Sequence, residues 1–81
     1  MKLSILLFSA AREIAGRESI ELNLPESATV AHARAALLQS LPSLAARNGI
    51  LLWAVNNDYA SDDRVLQQTD TVACFPPVSG G

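Results

Sequence analysis

One stretch of helical periodicity, near the middle of the chain, constrains the fold more than any other feature. Its apolar residues recur every three or four positions and share one side of a helix; they are Val30, Ala33, Leu37, Leu38 and Leu41. Thr29 is the predicted N-cap, with Ser27 as the alternative, and Pro42 ends the helix because proline disfavours helical geometry in the residue before it. A helix with one apolar side needs a second layer against it, which the remaining residues have to supply.

Two strands are predicted before this helix. Residues 3–9 are apolar on both faces, as in a central strand. Residues 18–24 alternate between apolar and polar side chains, which indicates a half-buried strand that pairs back on the first as a hairpin and ends at Pro25. Between the two strands, residues 12–17 are predicted to be a connection with a turn at Gly16.

After the helix, the pattern predicts shorter elements that complete a sheet. In order, they are a further helical turn over 42–47 closed by Asn48-Gly49, a strand over 50–55, a turn at Asn56-Asn57-Asp58, a short strand around Tyr59, an apolar plug at Val65 and Leu66, and a last strand over 71–75. The whole order fits an α+β fold of the β-grasp, or ubiquitin-like, type, in which one main helix covers one face of a mixed sheet. We predict one such domain over residues 1–75.

By analogy with that fold, the first and last strands should be parallel neighbours at the centre of the sheet. The apolar pattern alone does not specify which strands are neighbours, so this expectation rests on the analogy. Parallel neighbours end at the same edge of a sheet. Ala10-Ala11-Arg12 would therefore lie beside the point where the chain leaves the last strand, at Phe75-Pro76.

The charge and hydropathy patterns argue against several classes of partner. The net charge is −2 and no basic run exists, so neither nucleic acid nor a membrane is an expected partner. The N-terminal segment resembles a short signal peptide, but Ser4 interrupts its apolar run and Arg12-Glu13 follow it, so a buried first strand is the favoured interpretation. Cys74 is the sole cysteine and cannot form an internal disulfide, which fits a reducing, cytoplasmic location.

The last residues of the chain, 76–81, are predicted to form a thin, flexible tail after the domain. Pro76-Pro77 favours an extended backbone, whereas Gly80-Gly81 lacks Cβ atoms and can pass through a slot that would exclude any other residue. The terminal carbonyl is therefore unhindered and carries the α-carboxylate, a group that occurs once per chain. Such a tail suits a protein whose own C-terminus is the reacting group.

Four segments, taken together, carry a resemblance to a known family. They are Leu7-Phe8-Ser9-Ala10-Ala11-Arg12-Glu13, Leu24-Pro25 with Thr29-Val30, Ala54-Val55-Asn56, and the stretch from Asp70 to Gly81. They closely resemble the small subunits of molybdopterin synthase, which are β-grasp sulfur carriers of molybdenum cofactor biosynthesis. The terminal Phe-Pro-Pro-Val-Ser-Gly-Gly is the most specific segment, and the resemblance runs the full length of the chain. Cys74, Asn57 and Thr69-Asp70-Thr71 depart from the family pattern, but none of them lies in the tail.

The resemblance implies a function for the C-terminus. A terminal carboxyl group has a pKa of about 3.5 and is a poor electrophile at neutral pH, so an E1-like adenylyltransferase activates it with ATP and links AMP to Gly81. A sulfur donor, such as a cysteine desulfurase or rhodanese system, then displaces AMP and leaves a thiocarboxylate. The tail inserts into the large synthase subunit, where the sulfur passes to cyclic pyranopterin monophosphate; the inserted residues are Pro76, Pro77, Val78, Ser79 and Gly80. The implied assembly is a heterotetramer of two small and two large subunits.

The chain itself offers no complete active site and is expected to be a reagent held by two enzymes. Asp70 is the only charged side chain between Val65 and Gly81, so no general base lies within reach along the sequence. Neither a bound cofactor nor a metal is expected. His32 has no second ligand at suitable spacing, and Cys74 is predicted to be a small core residue.

Three residues are predicted to dock a partner. Phe75 lies where the last strand gives way to the tail, Arg12 is expected nearby, and Phe8 belongs to the first resembling segment. Phe75 and Trp53 each have two open interpretations, core residue or exposed docking residue, with docking favoured for Phe75. Arg12 is either a surface charge or a partner contact.

Three other functions remain open at this point. A sulfur carrier for thiamine or cysteine biosynthesis would keep the chemistry and change the acceptor, although the terminal motif argues against the thiamine type. A ubiquitin-like modifier would join Gly81 to lysines of target proteins, and conjugates would reveal it. An interaction module with an inert tail would keep its function after the loss of Gly80-Gly81.

Overall fold

The computed structural model describes residues 1–47 and 51–77, in which three helices accompany a five-stranded sheet. In chain order, the elements are β1 (Lys2–Leu7), α1 (Ser9–Ala15), β2 (Ser19–Asn23), α2 (Val30–Ser40), α3 (Pro42–Arg47), β3 (Leu52–Val55), β4 (Asp58–Tyr59) and β5 (Val72–Phe75). The predicted helical turn after α2 is present as α3, which begins at Pro42. The predicted turn at Asn48-Gly49 lies outside the described residues, as does Ile50.

The sheet has the strand order β2-β1-β5-β3-β4, so that β1 and β5 are interior neighbours. These two strands are parallel, with Ile5 opposite Val72 and Leu7 opposite Cys74, whereas the other neighbouring pairs are antiparallel. The expected parallel pair is confirmed, and so is the α+β arrangement of the β-grasp type. Because β1 and β5 run in the same direction, they end at the same edge of the sheet.

The core lies between one face of this sheet and the helices. Alternate residues of β1 point into it, and Leu3, Ile5 and Leu7 are each at most 2% exposed. Trp53 on β3 is buried in the same way, which assigns this residue to the core and not to a docking surface. Burial of such side chains, at about 1.5–3 kcal/mol each, is the main favourable contribution to folding.

Helix α2 begins at the predicted N-cap. The Thr29 hydroxyl accepts a hydrogen bond from the backbone N–H of His32, and Nδ1 of the His32 ring accepts in return from the backbone N–H of Thr29 at 2.9 Å. This reciprocal pair satisfies N–H groups that the first helical turn leaves without partners. Val30, Ala33 and Leu37 are buried, as the periodicity predicts. The His32 ring therefore has a structural role at the start of the helix.

Helix α1 corrects the prediction for the connection between β1 and β2. The sequence predicts a strand over 3–9 and a connection over 12–17, but β1 ends at Leu7 and a helix occupies Ser9–Ala15. The predicted turn at Gly16 is confirmed. Gly16 has a φ of 71°, in the left-handed region, and its N–H donates to the carbonyl of Arg12 at 2.9 Å. Two helical turns are too few to show periodicity, and the burial of Ala11 against the core is a tertiary contact.

Backbone hydrogen bonds attach the long connection before β5 to the start of α2. The carbonyl of Arg64 accepts from the N–H of Val30 at 3.0 Å, and the N–H of Leu66 donates to the carbonyl of Ala28 at 2.8 Å. Leu66 is buried, as predicted for the apolar plug, but Val65 is 49% exposed, so the prediction is wrong for Val65. Val65 lies between these two hydrogen bonds, in a short extended segment that pairs with Thr29. Successive side chains of an extended segment point to opposite sides.

Candidate functional site

The predicted tail starts at the end of the interior strand β5. Phe75 is the last residue of that strand, and Pro76-Pro77 follows it as the last described segment. Strand β1 ends alongside, since the N–H of Phe8 donates to the carbonyl of Cys74 at 3.2 Å. Helix α1, which contains Ala10-Ala11-Arg12, contacts β5, in agreement with the expected position of these residues near the root of the tail. The predicted tail residues 78–81 lie outside the described part of the chain.

The face of the sheet opposite the core carries an exposed apolar surface. Phe75 and Ala73 lie on this face, because Cys74 between them points into the core. The strand register places apolar residues of β1, β3 and β4 beside them, and we define the open face as Leu6, Phe8, Leu52, Ala54, Tyr59, Ala73 and Phe75. Apolar residues grouped on an open sheet face are a candidate docking site for another protein.

Two aromatic rings meet on the open face next to the root of the tail. The ring centroids of Tyr59 and Phe75 are 5.9 Å apart, and the ring planes are tilted by 57°, a favourable arrangement for an aromatic pair. Phe75 is half-buried, whereas Tyr59 is 78% exposed. The position of Phe75 outside the core supports the docking interpretation, and docking itself stays a prediction.

Tyr59 is a candidate that the sequence did not single out. It belongs to a strand of two residues, and only the register of that strand, with Ala54 opposite Tyr59, shows which face its ring shares. An aromatic residue beside a turn is the one signal that could have indicated it, since aromatic residues are enriched in interfaces.

Phe8 and Arg12, the other predicted docking residues, lie on either side of the start of α1. Phe8 is 47% exposed and belongs to the open face. Arg12 forms an ion pair with Glu18, with Nη2 at 2.8 Å from Oε1, and both side chains are more than half exposed. Such a pair contributes at most about 1 kcal/mol. A carboxylate of a partner that replaced Glu18 beside the Arg12 guanidinium would therefore break only a weak interaction.

Cys74 is the only thiol of the chain, and the core encloses it. Burial raises the pKa of Cys74 to about 12, and the charge of Arg34 opposes this shift only in part. The side chain is therefore a neutral thiol at physiological pH. Cys74 is a core residue, as the sequence predicts, and it supplies no nucleophile at the root of the tail.

Two features are absent from the described residues. Within 1–47 and 51–77, no three His, Cys, Asp or Glu side chains form a group that could hold a metal ion. No helix of this part of the chain is long and apolar enough to cross a membrane.

A network around Asp70 joins the turn after β3 to the start of β5. Oδ2 of Asp70 accepts from the backbone N–H of Gln67 at 2.8 Å, and Oδ1 accepts from the side-chain amide of Asn56 at 3.0 Å. The bond from Gln67 contributes most to holding the pKa of Asp70 below its ordinary value of 3.8; Asn56 and Arg64 act in the same direction and partial burial opposes them. Because the folded state has the lower pKa, the stabilisation is present above the ordinary pKa and is lost as the pH falls through the lowered one.

The sequence pattern of one protein family, described as the ThiS family, matches residues 5–81. The match includes every residue of the open face and the whole C-terminal tail. The chain belongs to the ThiS family. Membership of the ThiS family agrees with the resemblance to sulfur carriers that the terminal motif suggests.

Several named proteins are similar to this chain. The molybdopterin synthase sulfur carrier subunit of Arabidopsis thaliana is 32% identical over 81 residues, covering 100% of this chain and 84% of that one. The protein of the same name from Escherichia coli strain K12 is 36% identical over 81 residues, covering 98% of this chain and 99% of that one. Among solved structures, the small archaeal modifier protein 1 of Haloferax volcanii is 27% identical with a TM-score of 0.84, covering 95% of this chain and 98% of that chain.

Proposed function

We propose that the chain is the sulfur carrier subunit of a molybdopterin synthase. The observation that carries this proposal is the placement of the root of the tail, Pro76-Pro77, which continues from an interior strand beside the open face. A carrier needs both features, a chain end that can enter another enzyme and a surface by which that enzyme holds the domain. The relatives from Arabidopsis thaliana and Escherichia coli that bear this name cover 100% and 98% of the chain, which supports the same assignment.

In the proposed cycle, the terminal carboxylate of Gly81 is the reacting group. An E1-like adenylyltransferase transfers AMP to it from ATP, because a carboxylate at neutral pH is a poor electrophile. A sulfur donor, such as a cysteine desulfurase or rhodanese system, displaces AMP and leaves a thiocarboxylate. The soft, anionic sulfur is then a competent nucleophile toward cyclic pyranopterin monophosphate. It bonds to a pterin carbon, and water cleaves the resulting thioester and restores the Gly81 carboxylate. Two such transfers, from two loaded chains, supply the two sulfurs of the molybdopterin dithiolene.

The chain contributes reach and shape to this cycle. From Phe75, residues 76–81 can span at most about 20 Å, at 3.3–3.6 Å per residue, which is long enough to enter a deep pocket. The glycines at positions 80 and 81 keep the tip thin. In this proposal the partner enzymes provide the ATP site and the acid–base groups, and the chain is an enzyme subunit without a complete active site of its own.

The open face is the proposed docking surface for the large synthase subunit. Phe8 and Phe75 are its proposed apolar anchors near the root of the tail, and the exposed Arg12, on the helix that follows Phe8, is the proposed rim charge. Docking through this face would point the tail into the partner, because β5 runs along the face and ends at its edge. The proposed assembly contains two copies of each subunit.

Phe75→Ala is expected to weaken binding of the large subunit by about 2 kcal/mol, or roughly thirtyfold in Kd. The reason is that the ring lies on the open face, directly before the tail. Arg12→Ala should weaken binding less, because a rim charge stays partly solvated. Titration of each purified variant with the large subunit measures both effects.

Val65→Ala is the matched control for this experiment, since Val65 is an exposed apolar residue outside the open face. It should leave the affinity unchanged. Thermal melts accompany the titrations, because a core residue behaves differently when truncated. A large loss of stability in Phe75→Ala, with unchanged affinity of the folded fraction, would contradict the docking role.

Intact-mass measurement of the protein from its native host tests the proposed function itself. A loaded carrier is heavier than the unmodified chain by the mass difference between one sulfur and one oxygen atom. The modification should map to Gly81 and should disappear after incubation with the large subunit and the pterin substrate. If the tail remains a carboxylate in cells that make molybdopterin, and in strains lacking the large subunit, the proposal is wrong.

A ubiquitin-like modifier is the second candidate, and the likeness to the small archaeal modifier protein 1 of Haloferax volcanii is the observation that favours it. A modifier would form an amide between Gly81 and lysines of other proteins. Covalent conjugates that resist reducing agents and depend on Gly81 would support this function. A sulfur carrier gives the terminal thiocarboxylate instead.

A further inference from the structure

The ladder between β3 and β5 continues by one pair beyond the strands, in an irregular way. After Val55 and Val72, the next opposed residues are Asn56 and Thr71, and the N–H of Asn56 donates to the carbonyl of Thr71 at 2.8 Å. In a regular antiparallel pair, the N–H of Thr71 would donate to the main-chain carbonyl of Asn56. It donates instead to the side-chain oxygen Oδ1 of Asn56, at 2.9 Å.

The left-handed backbone of the adjoining turn explains this exchange. Asn56 and Asn57 have φ values of 52° and 72° and form the two-residue loop between β3 and β4. Positive φ at both positions is what a type I′ hairpin turn requires. The turn takes the main-chain carbonyl of Asn56 out of the ladder, and the side-chain carbonyl of Asn56 occupies the vacated acceptor position opposite Thr71.

Asp70 completes this connection. It accepts from the side-chain amide of Asn56 with one oxygen and from the backbone N–H of Gln67 with the other. We call the two side chains, with the N–H groups of Gln67 and Thr71, the Asn56–Asp70 clasp. Every side-chain nitrogen and oxygen atom of Asn56 and Asp70 has a hydrogen-bond partner within it.

We propose that the Asn56–Asp70 clasp positions Tyr59 on the open face. Strand β4 has two residues, lies at the edge of the sheet and pairs with β3 alone, so few contacts hold Tyr59 in place. The clasp ties the turn before Tyr59 to the residues that lead into β5, the strand that carries Phe75. Tyr59 thereby stays 5.9 Å from the Phe75 ring although it is 78% exposed.

A partner contact through Tyr59 would follow from this positioning. The inference rests on the proposed function only in this further step, because the open face must dock a partner for Tyr59 to matter there. The positioning of Tyr59 is itself a property of the isolated chain. Separate measurements on the free protein and on the complex therefore distinguish the two.

Two single substitutions and their combination test the clasp without changing its size. Asn56→Asp brings two carboxylates together, and Asp70→Asn brings two amides together, so each breaks the pattern of donors and acceptors. The double variant restores it. The carboxylate at position 56 then accepts from Thr71 and from the amide at position 70, whose oxygen accepts from Gln67. Asp63→Asn, at an exposed carboxylate outside the clasp, is the control.

Nuclear Overhauser effects between the ring protons of Tyr59 and Phe75, measured on the full-length protein at neutral pH, report the positioning. Both single variants should lose most of this intensity, whereas the double variant and Asp63→Asn should keep the wild-type value. Lower melting temperatures with unchanged ring contacts would mean that the clasp is structural only, and the proposal would be wrong. It would also be wrong if the double variant failed to restore the contacts.

Affinity for the large synthase subunit tests the consequence for docking. Each single variant should bind about fivefold more weakly, the effect of losing one net hydrogen bond. This loss should vanish in a Tyr59→Ala background, because the clasp would act through Tyr59. Equal losses in both backgrounds would overturn the positioning role. If the wild-type protein does not bind the large subunit at all, the proposed function fails, and the ring contacts alone decide the role of the clasp.

Discussion

A protein that lacks Gly81 is expected to lose sulfur transfer completely, while its melting temperature stays unchanged. The reacting carbon of the proposed cycle is the terminal carboxyl carbon, so its position in a partner is set by chain length. The buried residues of the described chain end at Cys74, so the core there does not depend on the tail. Pterin sulfuration, reconstituted with the large subunit and the loading enzyme, measures the first effect, and a thermal melt measures the second.

A protein with one glycine added after Gly81 is the complementary variant. It keeps the composition of the tip but moves the carboxyl carbon by up to about 3.6 Å, so it should also be inactive. If the truncated protein still supports pterin sulfuration, the terminal-thiocarboxylate mechanism is wrong. Full activity of the lengthened protein would contradict the dependence on reach.

Gly80→Val is expected to reduce sulfur transfer about a hundredfold, the scale on which small misplacements of reacting groups slow a reaction. A β-branched side chain both widens the tail and restricts its backbone. The effect should appear in the steps in which a partner encloses the tail. Single-turnover rates with separately loaded protein distinguish loading from sulfur donation.

Ser79→Ala is the control for Gly80→Val, because it removes a hydroxyl from the tail without widening it. Its rate should stay within a few-fold of the wild-type rate. Melting temperatures should be the same for both variants. Comparable rates for wild type and Gly80→Val would mean that the partner channel is not narrow, and the inference from the glycines would fail.

Several elements could be predicted from the sequence because they depend on residues close together along the chain. The N-cap at Thr29 and the apolar side of α2 are examples, since capping and periodicity act within one or two helical turns. The turn at Asn56-Asn57 is another, because both residues tolerate positive φ. The prediction that Cys74 is a core residue followed from its place in a strand, and the burial of Cys74 confirms it.

Other features could not be predicted, for identifiable physical reasons. Helix α1 is too short to show a period, and its formation depends on the burial of Ala11 against the core. Trp53 and Phe75 have similar apolar character, and only the strand register puts Trp53 in the core and Phe75 on the open face. Val65 and Leu66 are neighbours with opposite exposure, which the backbone attachment to α2 decides.

By itself, the sequence determined the order of the five strands, the main helix and the composition of the C-terminal tail. These depend on local geometry and on the chemistry of a chain end, so they need no information about distant residues. The tertiary structure alone decided which side chains share the open face and how Asn56, Asp70 and Thr71 connect. Such contacts join residues that are far apart along the chain. The pairing of distant strands brings these residues together, and the local pattern does not specify which strands pair.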